Sequence, residues 1–77
     1  MVELTQSASF GMVWAISQQN LADLSVEIDG DGFAGISEFR DYLVAGHRHH
    51  VASVQGSATV TLKAAGQVVA TASFESR

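Results

Sequence analysis

Glu27-Ile28-Asp29-Gly30-Asp31-Gly32-Phe33-Ala34-Gly35-Ile36-Ser37-Glu38 is the stretch on which the fold of this chain turns. Asp-Gly pairs supply the positive φ that tight hairpins require, so Asp29-Gly30-Asp31-Gly32 predicts a turn. Ahead of it, Leu24, Val26 and Ile28 alternate with Ser25, Glu27 and Asp29, the two-residue period of a strand with one buried face. Phe33 to Ile36 then returns as a short strand. Ser37 is placed to cap a helix with its hydroxyl, and Glu38 suits the positive end of that helix. Phe39, Tyr42 and Leu43 follow as one apolar stripe at helical spacing. Gly46 offers a stop, and His47 and Arg48 suit the negative end. The pattern predicts a helix over residues 37–46.

The flanking arms read as strands. From Val2 to Ile16 the even-numbered positions are apolar except Gln6, and the odd ones are mostly small or hydroxylated. This predicts a strand with Phe10, Met12 and Trp14 in the core and Gly11 at a bend. Gln18-Gln19-Asn20 reads as a connection. Towards the C-terminus, Ala58, Val60, Leu62 and Ala64 alternate with Ser57, Thr59, Thr61 and Lys63. Ala65-Gly66-Gln67 turns the chain, and Val68, Ala70, Ala72 and Phe74 alternate in turn. The closing hairpin can extend back through Val51 and Val54. The expected fold is therefore α+β: a small antiparallel sheet in the order β-β-β-α-β-β, with one helix packed on a face. The expectation is a single small domain over residues 1–77.

Composition narrows the function classes. The chain carries 16% charged and 47% hydrophobic residues, the opposite of a disordered tail. It has no cysteine, which removes disulfides, thiolate metal sites and a cysteine nucleophile. No apolar run approaches the ~20 residues that span a bilayer, and the N-terminus lacks the basic start and apolar core of a secretory signal. A cytoplasmic protein without membrane contact is the expectation. The net charge of −4 argues against direct binding to nucleic acid, which calls for a basic face. Residues 23–41 hold Asp23, Glu27, Asp29, Asp31, Glu38 and Asp41 against Arg40 alone, a local balance of −5. That concentration suits a partner protein with a basic surface, which it would steer electrostatically. From Val51 to Phe74 the one charge is Lys63, so these strands lack the lysines and prolines that blunt sheet edges. Pairing between copies, as a homodimer or larger homo-oligomer, is the second expectation.

The quoted stretch also resembles an EF-hand calcium loop. With Glu27 at position 1, Asp29 falls at 3, Asp31 at 5, Gly32 at 6 and Glu38 at 12. Calcium takes six to eight hard oxygens, and the loop supplies them from those carboxylate positions, with glycine at 6 for the turn. The resemblance implies Ca2+ held by Glu27, Asp29, Asp31 and Glu38. The chain departs from the family in having Glu at position 1, Ala34 at position 8 and a strand-like run before the loop. Starting at Asp29 instead places Phe33, Ala34 and Arg40 at positions 5, 6 and 12.

His47-Arg48-His49-His50 could offer imidazole ligands, with His47 and His50 on one helix face, but as a solvated helix end it needs no ion. No nucleophile elbow surrounds any serine, and Gly30-Asp31-Gly32 lacks the lysine of a phosphate loop. So short a chain leaves little room for a catalytic pocket, so the expectation is a non-enzyme without a resident cofactor. The leading reading is a non-catalytic protein–protein interaction module that binds through Glu27, Asp29, Asp31, Glu38 and Asp41. One concrete form is a small phage-type inhibitor whose carboxylates compete with nucleic acid for a basic groove. The alternatives are a calcium-binding domain and an assembly subunit joined by strand pairing.

Overall fold

The computed structural model describes residues 2–7, 11–34 and 41–75, the side chain of Ala34 excepted. Within them the chain is all strand: β1 (Val2–Gln6), β2 (Met12–Ser17), β3 (Leu21–Ala22), β4 (Leu24–Ala34), β5 (Tyr42–Leu43), β6 (Arg48–Ala64) and β7 (Gln67–Glu75). Five of these form one antiparallel sheet in the order β1-β2-β6-β4, with β7 also paired to β6. The sheet curls into a half-barrel, and β3 with β5 makes a separate two-stranded pair. Among the described residues no helix is long and apolar enough to cross a membrane.

β6 organises the rest. One of its edges pairs with β4 from Ala52 to Ala64. The other pairs with β2 over Arg48–Ser53 and then with β7 over Ser57–Ala64. β2 and β7 therefore sit end to end along the same edge. β1 lies beside β2 and against β7, which draws the two halves together. The concave side buries Val13, Ala15, Leu24, Leu43, Val51, Ala52, Val54, Ala58, Val60 and Leu62. Val2, Leu4, Val26, Ile28 and Phe74 pack around that core.

The α+β expectation is overturned, and the reason is visible at Tyr42 and Leu43. A helix would put both on one apolar face. As a strand they point opposite ways, Leu43 buried and Tyr42 exposed, with Leu43 opposite Leu21 and Tyr42 opposite Ala22. A ten-residue helix is marginal alone, and filling the core with Leu43 outweighs it. Gly46, with φ of 78°, serves a turn that leads into β6 instead of ending a helix. The first part of the expected helix, Ser37 to Arg40, lies outside the described residues.

The Asp29-Gly30-Asp31-Gly32 turn is overturned too. These residues lie inside β4, paired with β6 on both sides of an irregularity. Gly30 faces Ala58 and Gly32 faces Val54, so Asp31 alone spans Gln55 to Ser57. The backbones press together there. A Cβ on Gly30, whose φ is 122°, would collide with the Ser57 carbonyl oxygen. One on Gly32 would stand 2.5 Å from that of Ser53. Glycine is used for close backbone approach and a bend, not to reverse the chain.

At the N-terminus, what reads as one strand is two, folded back as β1 and β2 with Val2 opposite Ser17 and Gln6 opposite Val13. Gly11 takes a φ of 64° beside this reversal. The reversal changes which positions face inward. In β2 the odd-numbered Val13, Ala15 and Ser17 are buried, while Met12, Trp14 and Ile16 stand on the convex side, half-covered. The expectation that Met12 and Trp14 fill the core is thereby corrected, and Phe10 is outside the described residues. The β6–β7 hairpin matches the reading, with Ala65 and Gly66 at φ of 51° and 79°. Positive φ at both central residues is the two-residue turn whose twist suits a hairpin.

Gly30→Ala or Gly32→Ala is expected to cost about 2–4 kcal/mol in urea unfolding, from overpacking and backbone strain. Gly46→Ala meets no atom within 4 Å and is expected to cost about 1 kcal/mol through φ alone. Equal costs at all three would contradict a close crossing at Gly30 and Gly32.

Candidate functional site

The acidic residues fall on and around β4. Alternation puts Ser25, Glu27 and Asp29 on the convex face, opposite Lys63, Thr61 and Thr59 of β6. The Glu27 carboxylate meets the Lys63 ammonium at 2.6 Å, the one ion pair among the described residues. With Glu27 well exposed, such a contact contributes well under 1 kcal/mol. Asp29 is exposed beside it with no cation of its own among the described residues. Asp31 lies at the bend with its carboxylate over Gly56, where a Cβ would come within 2.7 Å of Oδ2. Asp41 stands apart on an exposed bend, tied to the start of β4 by the Leu24 N–H donating to its carbonyl at 3.1 Å. Glu38 is outside the described residues.

Beside Asp29 the convex face is hydroxylated. Thr59 and Ser73 share a hydrogen bond of 2.9 Å, and Thr61 and Thr71 one of 3.1 Å. Asp29, Ser57, Thr59, Ser73 and Glu75 line an open groove of about 430 Å³, with Ala58 and Phe74 contributing its apolar part. Asp29 and Glu75 give it two carboxylates, so the groove continues the acidic strip across β6 to β7. It is open to solvent.

The calcium reading needs Glu27, Asp29 and Asp31 around one centre. In an extended strand alternate residues are roughly 6.6–6.8 Å apart, whereas oxygens on one calcium lie within about 5 Å of each other. β4 holds Glu27 and Asp29 at that spacing, Asp31 lies at the irregularity over Gly56, and Glu38 is outside the described residues. Among the described residues no three His, Asp or Glu side chains gather.

The other half of the convex face was not legible as a surface in the sequence. Trp14 stands opposite His50, with ring centroids 5.3 Å apart, and the Arg48 guanidinium lies 4.8 Å over the indole. His50 Nε2 is 3.3 Å from Ser53 Oγ, and its Nδ1 is buried without a partner. Phe33, opposite Ser53, is 51% exposed. The histidines expected at a helix end are thus divided between strand faces, His49 opposite Ala15 and His50 opposite Trp14. Two adjacent buried residues, Val51 and Ala52, set that division through a bulge opposite Val13. The convex face carries carboxylates and hydroxyls at one end of β6 and aromatic and basic groups at the other.

No protein-family model matches the chain, and neither does any curated protein or solved structure.

Proposed function

We propose that this chain is a non-catalytic protein-interaction module that presents the acidic face of β4 to a partner protein with a basic surface. One observation carries the reading. Glu27 and Asp29 project side by side from a strand rooted in the core, and Lys63, bound to Glu27, is the one cation paired with either among the described residues. Asp31 beyond the bend, Asp41 at the start of β4 and Glu75 across the groove extend the negative field. Such a field raises the rate of encounter with a positive surface and disfavours neutral or acidic ones. The matching chemistry on a partner is a cluster of lysine and arginine. The concrete form of this reading is a small inhibitor whose carboxylates take the place of phosphates in a partner's nucleic-acid groove. The absence of cysteine fits work in a reducing cytoplasm.

The test is capture of the partner from the native host, followed by titration of the purified pair. The double variant Asp29→Asn with Asp31→Asn is expected to bind at least ~10-fold more weakly, about 1.4 kcal/mol, with its melting temperature little changed. The wild-type affinity is expected to fall steeply with salt. Unchanged affinity in the double variant, or binding indifferent to salt, would sink the proposal.

A further inference from the structure

We infer that Asp31-Gly32 is a site of backbone modification: the Asp31 side chain closes onto the Gly32 amide as a cyclic imide, which reopens to isoaspartate and lengthens β4 at its bend.

The chemistry needs only water. The Gly32 nitrogen bonds to Cγ of the protonated Asp31 carboxyl, and the amide proton leaves with the carboxyl hydroxyl as water. The imide then takes up one water. Attack at Cγ restores aspartate. Attack at the main-chain carbonyl breaks its bond to the Gly32 nitrogen, so the chain now runs through Cβ and Cγ. Mass is unchanged, and nothing is oxidised or reduced. Glycine after the aspartate lets the two groups meet, because it has no Cβ to obstruct the close approach. The sequence offers that pair twice, at 29–30 and at 31–32.

The structure separates the two. Ring closure swings the main-chain carbonyl of the aspartate out of the extended conformation. The Ala65 N–H donates to the Asp23 carbonyl at 3.0 Å. In an antiparallel ladder the N–H and C=O of one residue point to the same side, and successive residues alternate. Counting from Asp23, Asp29 turns both groups to Thr59, its partner in register. Those bonds have to break before Asp29 can close. At Asp31 the register jumps from Gly30 opposite Ala58 to Gly32 opposite Val54. Asp31 therefore sits at the irregularity, exposed, with its carboxylate over Gly56. The attacking nitrogen is not a rung of the β4–β6 ladder either. The Val54 N–H donates to the Gly11 carbonyl at 2.8 Å, so Val54 and Gly32 turn their amides away from each other.

The product does not fit the crossing. Gly32 lies so close to β6 that a Cβ would stand 2.5 Å from the Ser53 carbonyl oxygen. One more backbone atom just ahead of it displaces this glycine and disturbs the pairs that follow, Phe33 with Ser53 and Ala34 with Ala52. It also moves the Asp31 carboxylate from its side chain onto Cα. The modification thus acts on the bend itself.

The test incubates the full chain in water enriched in oxygen-18, folded and in guanidinium chloride, and assigns heavy-oxygen uptake to each aspartate by peptide fragmentation. In denaturant the two Asp-Gly pairs are expected to react at the same rate. In the folded chain Asp31 is expected to take up oxygen at least ~10-fold faster than Asp29. The fraction carrying isoaspartate at 31, separated by chromatography, is expected to melt at least ~5 °C below the parent. Asp31→Glu would need a six-membered ring and is expected to lose the uptake at that position, which distinguishes imide closure from direct exchange of carboxylate oxygen. Equal uptake at both aspartates of the folded chain, faster uptake at Asp29, or none at Asp31 overturns the inference. Uptake that persists in Asp31→Glu, or an isomerised fraction that melts with the parent, overturns it as well.

Discussion

The close crossing of β4 and β6 at Gly30, Gly32 and Gly56 is the constraint from which the rest follows. Both strands are long, and a straight pair would leave their apolar side without a cover. At Gly30 and Gly32 the backbones approach within distances that a Cβ would forbid, Gly56 makes room for the Asp31 side chain, and β6 spends Gln55 to Ser57 opposite Asp31 alone. The sheet bends there. One strand then serves two halves, pairing with β2 before the bend and β7 after it, so the concave face closes on its own residues. That is how a chain of 77 residues without cysteine encloses Val13, Leu43, Val54, Val60 and Leu62. Curvature here does the work that a staple or a second layer does in other small domains.

The same bend distributes the chemistry. It separates the hydroxylated, acidic end of the convex face from the Trp14, Arg48 and His50 end, and it leaves β4 at the margin of the sheet. The sheet's other margin is formed by β1 and β7, which lie against one another. The weakly charged strand that looked hazardous in the sequence, residues 51–64, is paired on both edges over most of its length. The charged strand, β4, pairs with β6 alone among the described residues.

Much of the strand content was legible, because alternation is local. The β6–β7 hairpin could be read from Ala58 to Phe74, since the period of two and the Ala65-Gly66 turn agree. The strand nature of Leu24 to Asp29 was equally plain, and so was the position of Glu27 and Asp29 on its polar face. Three features were not legible, each for a physical reason. Asp-Gly repeats fit a reversal and a close crossing equally well, and only the partner strand distinguishes them. Phe39, Tyr42 and Leu43 have helical spacing, but the demand for Leu43 in the core sits with residues far away in sequence. The even-numbered apolar run of residues 2–16 hid a fold-back that put Trp14 on the convex side. Long-range pairing decided all three, and a single-strand pattern does not carry it.

The central claim is that β6 organises the sheet, paired on one edge with β4 through alternate residues and on the other with β2 and β7. Residue-resolved amide hydrogen exchange of the isolated chain tests it directly. The account predicts slow exchange at Ser25 and Glu27 of β4 and at Val60 and Leu62 of β6. Fast exchange at either pair would contradict it, because the ladder that holds those amides would then not be formed.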